Sequence, residues 1–183
     1  MKIIAYIFIE MLVNISYNYN IGRVVRVKKV RIYLDTSVIS HLKQEDVPEK
    51  MHDTLDFWEL LKHRNDVEVV ISELVMREIK ECNEKKLEYL LEKLSEINFT
   101  LIEPTQEYEL AQTYLSNGVL REKSMDDLIH IAIATLNDCK YIVSWNFKHF
   151  VNPKTIKAVN AINDSLNLGQ VNIVPPSMML GGF

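Results

Sequence analysis

The amino-acid sequence predicts an α/β domain built on a mainly parallel sheet. Short apolar runs rich in β-branched residues alternate with longer segments whose apolar residues recur at helical spacing. This alternation is typical of chains in which a helix joins each strand to the next parallel strand. We therefore expect a central sheet of four to five strands with helices on both faces. In such sheets, ligands bind beyond the carboxyl ends of the strands.

The expected elements follow one another regularly from about residue 28. Strands are expected at 30–34, 67–71, 99–102 and 140–144, with an edge strand at 171–174. Helices are expected at 53–63, 73–82, 84–95, 106–116, 125–137 and 154–166. The first strand runs directly into Asp35-Thr36-Ser37, which is typical of a turn or of a helix N-cap.

The sequence divides into an N-terminal extension (1–27), one domain (28–175) and a C-terminal tail (176–183). Residues 3–13 are apolar but are interrupted by Glu10 and are too short to span a bilayer. One hypothesis is that residues 1–27 derive from a start codon assigned too early, and the alternative is a short interfacial or partner-binding helix. We expect the tail to be disordered, with partner docking as the alternative.

The overall charge excludes one class of function. With 21 basic and 25 acidic residues the net charge is −4, so the chain does not coat nucleic acid through bulk charge. An enzyme that holds one phosphodiester through bound cations and a local basic rim remains possible. Cys82 and Cys139 have neither metal-ligand nor disulfide spacing. We expect inert thiols in a cytoplasmic protein without a membrane span.

Two carboxylates lie where solvation alone explains them poorly. Asp35 follows the first strand directly, at the edge where a crevice is expected; an ordinary turn or N-cap is the alternative. Glu78 shares a helical face with Leu74 and Cys82 and so interrupts an apolar stripe. A carboxylate on a buried face costs several kcal/mol unless it is paired or binds a metal. The alternative places Glu78 at the border of a weakly amphipathic helix.

A third carboxylate opens the most apolar helix of the chain. Asp127 begins DLIHIAIATL, which is apolar nearly all round and is therefore expected to be buried. Ser124 and Asp127 also match a helix capping box, in which the acid only bonds the cap. Asp126 could serve the helix dipole in the same way. His130, inside this helix, is expected to be a core histidine.

Four runs of the sequence resemble the PIN-domain family, in their residues and in their order. They are IYLDTSVIS, ISELVMREI, SMDDLIHIAIA and YIVSWNFKHF, and they span roughly residues 30–152. The likeness is to the branch that includes the VapC-type toxin ribonucleases. It implies a three-layer α/β sandwich that hydrolyses RNA phosphodiester bonds with Mg²⁺ or Mn²⁺. The family's acids correspond to Asp35, Glu78 and Asp127, with Asp126 as a supporting or supplementary ligand.

One position departs from the family pattern. Asn146 stands where many members carry a further Asp. An amide can ligate through its carbonyl oxygen or hydrogen-bond a metal-bound water, but it adds no charge. A second metal ion is therefore in question, while Asn146 stays a candidate catalytic residue.

The resemblance suggests a division of labour within the site. Oxygen ligands favour Mg²⁺ or Mn²⁺ over zinc, and the ion relieves repulsion between neighbouring carboxylates. Asp35 and Asp127 are expected to ligate the metal, and Glu78 to ligate it or to orient the attacking water. The remaining candidates support the site or contact substrate: Thr36, Ser37, Ser144, Lys148 and His149. Trp145 could stack on a base or pack in the core.

The resemblance also implies partners. They are an RNA substrate, a small antitoxin protein and a second copy of the chain in a homodimer. A competing hypothesis is a catalytically idle PIN module that binds RNA or protein, and Asn146 is the feature that favours it. In a third, the acids are only caps and turn formers. The RNA target, the choice between Mg²⁺ and Mn²⁺ and the number of ions stay open.

Overall fold

The computed structural model describes residues 29–181. The two hypotheses about residues 1–27 fall outside these described residues. Within them, every strand that the sequence predicts is present, and the predicted helices are present with shifts of one to a few residues at their ends. The predicted α/β class is therefore confirmed.

Five strands and eight helices organise the described part of the chain. The strands are β1 (Val30–Leu34), β2 (Val67–Ser72), β3 (Phe99–Ile102), β4 (Tyr141–Val143) and β5 (Asn172–Val174). The helices are α1 (Thr36–His41), α2 (Pro48–His63), α3 (Glu73–Ile79), α4 (Glu84–Ser95), α5 (Glu107–Ser116), α6 (Met125–Leu136), α7 (Pro153–Ser165) and α8 (Pro176–Met179). A turn of 3₁₀-helix (Glu122–Ser124) leads into α6.

The five strands form one parallel sheet in the order β3-β2-β1-β4-β5. β1 is central, and Ile32 pairs with Val69 on one side and Tyr141 on the other. The chain moves outward from β1 through β2 to β3 and then crosses back to β4. The direction of winding thus reverses between β1 and β4, and the carboxyl ends of these two strands form the crevice in which ligands of such sheets bind.

Helices cover both faces of the sheet. Because crossovers between parallel strands are right-handed, the strand order assigns α1–α4 to one face and α5–α7 to the other. On the first face the Trp58 indole N–H donates to the Lys93 carbonyl at 3.1 Å, which joins α2 to α4. On the second, the Tyr114 hydroxyl donates to the Asn163 side-chain oxygen at 2.6 Å, which joins α5 to α7. The result is the three-layer arrangement that the sequence analysis expects.

Buried apolar side chains fill the spaces between the layers. Ile32, Tyr33 and Leu34 on the central strand are fully buried, and so is most of α6 from Leu128 to Ala134. Because α6 is apolar nearly all round, it can pack against the sheet and against α5 at once. The first turn of this buried helix delivers Asp127 to the crevice.

Two segments differ from expectation. Thr36–His41 forms a helix, because the Asp35 carboxylate accepts the Ser37 N–H at 3.3 Å and caps it. Residues 176–179, expected to be disordered, form α8, which packs against α2 and buries Met179 to 2 % exposure. Pro176 occupies the first position of this helix, where its fixed φ is favourable. No helix in the described range is long and apolar enough to cross a membrane.

The polar link between α5 and α7 can be tested by removing one hydroxyl. Asn163 is buried. Its side-chain oxygen accepts from the Tyr114 hydroxyl, and its side-chain N–H donates to the Gly169 carbonyl at 3.0 Å. Tyr114→Phe should lower the free energy of unfolding by about 1–3 kcal/mol, because it leaves a buried acceptor unsatisfied. Urea unfolding measures this change.

The matched control is Tyr108→Phe on the same helix. Tyr108 is 58 % exposed, and its hydroxyl accepts from Gln112 at the surface, so water replaces the lost bond. We expect a change below about 0.5 kcal/mol. Equal effects of the two variants would show that the buried link contributes nothing specific.

Candidate active site

A cleft of about 420 Å³ opens at the carboxyl ends of β1 and β4. Its lining contains the three predicted acids together with Asn146 and His130. The complete lining is Asp35, Thr36, Ser37, Glu78, Glu81, Asp127, His130, Trp145 and Asn146. A larger groove, of about 710 Å³, lies beside α3 and α5 but contains none of the predicted site residues. The smaller cleft is therefore the candidate site.

Asp35 is the most buried of the three acids, at 6 % exposure. Its Oδ2 accepts hydrogen bonds from the Ser37 backbone N–H, the Ser37 hydroxyl and, at 2.8 Å, the Ser144 hydroxyl. Ser144 directly follows β4, so this bond ties together the two strand ends that form the crevice. All three bonds converge on one oxygen, and Oδ1 takes part in none of them. Ser37 and Ser144 therefore fix the orientation of the Asp35 carboxylate.

Glu78, on the last turn of α3, is half-buried. Its Oε2 accepts from the Thr36 hydroxyl and, at 3.0 Å, from His130 Nε2. Burial opposes ionisation of this carboxyl, but the hydrogen bonds from His130 and Thr36 and the nearby positive charge hold its pKa below the usual value. Glu78 is therefore ionised at neutral pH. Thr36 supports Glu78, whereas Ser37 supports Asp35.

His130 is almost completely buried, at 2 % exposure. Its Nδ1 lies 2.7 Å from the Tyr33 hydroxyl, which in turn lies 2.7 Å from the Ser72 hydroxyl. Burial disfavours the imidazolium, but the bond to Glu78 and the charge of Asp35 raise the pKa of His130 above its usual value. The expected core histidine thus also pairs with a site acid. Its three-residue offset from Asp127, which places both on one helical face, was the signal in the sequence.

Asp127 lies in the first turn of α6 and is half-buried. Its Oδ1 accepts from the Asn146 side-chain N–H at 3.0 Å. Burial raises the pKa of Asp127, the positive charge of His149 opposes this and the charge of Asp35 adds to it, and the net direction is upward. Ser124 makes no side-chain cap hydrogen bond, and its backbone N–H donates to the Arg121 carbonyl at 2.8 Å. The capping box that Ser124 and Asp127 suggest in the sequence is therefore not formed. Asp126 is exposed and does not line the cleft.

Asn146 presents its amide N–H, not its carbonyl oxygen, to the cleft. The side-chain oxygen accepts from the His149 backbone N–H at 3.1 Å. A backbone N–H can only donate and a carboxylate can only accept, so the two partners fix the amide orientation. Of the two roles that the sequence left open, ligation through the oxygen is therefore not the arrangement found. Asn146 instead donates to Asp127.

The remaining aromatic and basic candidates lie at the rim. Trp145 is 7 % exposed and its indole N–H donates to the Thr54 hydroxyl at 2.8 Å, so it is a packed aromatic that borders the cleft. Lys148 is exposed, and His149 acts on Asp127 through its charge. Phe147, which lies between Trp145 and Lys148 in the sequence, is 49 % exposed and was not predicted as a site residue.

The donor set can be compared with what a hard cation needs. Within residues 29–181, no three acidic, histidine or cysteine side chains lie close enough together to hold an ion. Mg²⁺, however, is commonly held by one or two carboxylates, with water and substrate oxygens completing its shell. Asp35 and Asp127 fit that chemistry. Within the described residues Glu78 does not complete a group of three with them that could hold an ion.

The Glu78–His130 pair makes stability depend on pH in a defined window. The pKa of His130 is raised above its ordinary value of 6.5. Its contribution to the free energy of unfolding is therefore complete below pH 6.5 and is lost as the pH rises through the raised pKa. The pKa of Glu78 is lowered below its ordinary value of 4.5. Its contribution to the free energy of unfolding is therefore complete above pH 4.5 and is lost as the pH falls through the lowered pKa. The pair therefore stabilises the fold most between these two ordinary values.

His130→Gln tests this window. Glutamine can still donate to Glu78 but cannot carry the charge, so the loss in unfolding free energy should be about 1–3 kcal/mol near pH 6 and should shrink in alkaline solution. Urea unfolding across the pH range measures the difference. His63→Gln, at an exposed histidine, is the control and should show no such window. A pH-independent loss for His130→Gln would contradict a charged pair.

Comparison with known proteins gave no match among family models and none among curated proteins. Among solved structures, the chain is similar to the crystal structure of VapBC2 from Rickettsia felis bound to a DNA fragment from its promoter. The TM-score is 0.46 and the identity 19 %, over 68 % of this chain and 95 % of that one. Similarity at this level does not identify a function.

Proposed function

We propose that this chain is a metal-dependent endoribonuclease that hydrolyses RNA phosphodiester bonds with Mg²⁺ or Mn²⁺. The observation that carries the proposal is the meeting of Asp35, Glu78 and Asp127, far apart in sequence, around one cleft at the reversal point of the sheet. The order of the four sequence runs, which resembles the PIN-domain family, supports the same reaction.

Asp35 and Asp127 would hold the ion. The two carboxylates repel each other, which contributes to the raised pKa of Asp127, and a cation between them would remove that cost. An ion held by these two residues would lower the pKa of a water bound to it and would neutralise the charge that grows on the phosphate. Asp35 offers Oδ1, because its own hydrogen bonds all fall on Oδ2.

Glu78 acts as a hydrogen-bond acceptor for the attacking water. Its pKa is held low, so at neutral pH it is an ionised acceptor and only a weak base. His130 and Thr36 hold its Oε2 and leave Oε1 outside those contacts. His130 is a positioning residue here, since it contacts Glu78 from beneath and is itself anchored on Tyr33.

Asn146 favours a site that works with one ion. Its side-chain N–H donates a hydrogen bond to Asp127 Oδ1 at 3.0 Å and so compensates part of the carboxylate's charge. An aspartate in its place would put a second carboxylate against Asp127 and would need another cation to balance it. The same amide is the reason for the competing hypothesis of an idle module that binds RNA or protein. Cleavage assays separate the two.

The biological role is proposed from the sequence resemblance alone. VapC-type proteins are toxins held inactive by a small antitoxin, and we extend that role, that partner and the homodimeric state to this chain as proposals. With a net charge of −4, RNA affinity must come from local contacts near the cleft and from the bound ion.

Cleavage of a single-stranded RNA by purified protein tests the activity. Asp35→Asn and Asp127→Asn should each lower the rate at least about a hundredfold in Mg²⁺ or Mn²⁺, because each removes a charged ligand. Asp126→Asn is the matched control: this carboxylate is exposed beside Asp127 and does not line the cleft, so the rate should change less than about threefold. Quantified gel electrophoresis of the products measures all three.

Two further outcomes decide between the functions. Cleavage that survives both EDTA and Asp127→Asn would contradict the metal site. An inactive wild type beside an active Asn146→Asp variant would favour the idle module.

Asn146→Asp also tests the one-ion arrangement without relying on activity. The variant replaces a donor to Asp127 with a second carboxylate, so the metal-free protein should lose about 1–3 kcal/mol of stability. Mn²⁺ should raise its melting temperature more than that of the wild type, because a cation relieves the added repulsion. Differential scanning calorimetry measures both shifts.

Asn172→Asp is the charge control for this experiment. It adds the same charge at an exposed position on β5, away from the cleft, and should respond to Mn²⁺ as the wild type does. If Asn146→Asp also responded no more than the wild type, the account of Asn146 would be wrong.

A further inference from the structure

Phe147 is an exposed aromatic side chain at the rim of the cleft. Its exposed fraction is 49 %, whereas neighbouring Trp145 is 7 % exposed. It directly follows Asn146, whose side chain lines the cleft. Packing in the hydrophobic core does not explain it, since Phe147 is absent from the buried core cluster. About half of the Phe147 side chain is thus open to solvent, one residue away from a side chain that lines the cleft.

A cation accompanies this ring. The Lys50 ammonium lies 5.4 Å from the centroid of the Phe147 ring and 5.4 Å from that of Trp145. Lys50 comes from α2, so the pair is formed by two separate elements of the fold. An aromatic face next to a positive charge is the combination by which proteins hold single-stranded nucleic acid without reading its sequence.

The position of the ring is set by the backbone and by Trp145. The Phe147 N–H donates to the Trp145 carbonyl at 3.0 Å, which closes a tight turn. The Trp145 ring lies 6.1 Å from the Phe147 ring and is anchored through its indole N–H to Thr54. A platform held in this way loses little conformational freedom when a flat ligand stacks on it.

Charged side chains are distributed unevenly around the cleft. Glu81 lines the cleft with Glu78 on the α3 side, where the charge of Arg77 also acts on Glu78. Lys50 and the exposed Lys148 lie on the Phe147 side. These two lysines favour a polyanion on the Phe147 side of the cleft.

We infer that Phe147 and Lys50 form a subsite for one unpaired RNA base and its phosphate, next to the bond that is cut. The base stacks on the open face of Phe147 and Lys50 contacts the backbone. The inference rests on the proposed function, and it goes further by placing one base and one phosphate of the substrate on named residues. A solvent-exposed patch that docks a protein is the competing use of Phe147, and the charge pattern favours RNA.

Binding of a labelled single-stranded octaribonucleotide tests the subsite, with every variant built on Asp127→Asn to prevent cleavage. Fluorescence anisotropy gives the dissociation constants. Phe147→Ala and Phe147→Leu should both weaken binding about tenfold, because each removes the aromatic face. Phe147→Trp should restore it. Lys50→Gln should weaken binding and lower the slope of log K against log salt by about one.

Two controls isolate stacking. Tyr108→Ala removes another exposed aromatic, one that lines the larger groove, and should leave RNA affinity unchanged. An abasic strand should bind the Phe147 variants and their parent equally. Phe147→Leu keeps the apolar bulk of the side chain. Its melting temperature shows whether a loss of RNA affinity reflects unfolding.

The outcomes distinguish this inference from the proposed function. If the parent binds RNA while the alanine and leucine variants bind it equally well, the subsite is overturned and the nuclease proposal stands. An equal loss for abasic and intact strands would also overturn stacking. If the parent binds no RNA and the wild type cuts none, both proposals fail together.

Discussion

A buried carboxylate at the end of the central strand is the constraint around which the crevice is arranged. Asp35 is 6 % exposed, and a buried charge is tolerated only if hydrogen bonds or a cation compensate it. Ser37 and Ser144 supply the bonds and in doing so join the carboxyl ends of β1 and β4. Because the winding of the sheet reverses between these strands, the compensated charge lies where the fold opens to ligands.

The second acid is positioned from below by a chain of buried polar groups. Ser72, Tyr33 and His130 connect β2, β1 and α6 to Glu78 on α3. Each member is buried or half-buried, so leaving any one unsatisfied would cost stability. The chain therefore couples the packing of four elements to the orientation of one carboxylate. Stability and site geometry are linked here by the same bonds.

Local patterns in the sequence were sufficient for most of the fold, whereas the three acids were predicted from the order of four runs that resemble a known family. The strand at Val30–Leu34 and the helix at Glu84–Ser95 were predicted because their apolar periodicity is contained within each segment. The six-residue α1 is too short to show periodicity. The bond between Glu78 and His130 joins residues 52 apart, and the exposure of Phe147 depends on the tertiary fold, so no local pattern reveals either.

The central claim is that Asp35 and Asp127 hold one divalent cation between them. Anomalous diffraction from a crystal soaked in Mn²⁺ tests it most directly, because it locates the ion without any assay of activity. The account predicts one peak in the cleft, within about 2.0–2.6 Å of an oxygen of each carboxylate, and none in a crystal of the Asp127→Asn variant. Mn²⁺ bound at other sites while the cleft stays empty would contradict this claim, and so would a peak in the cleft that persists in the variant.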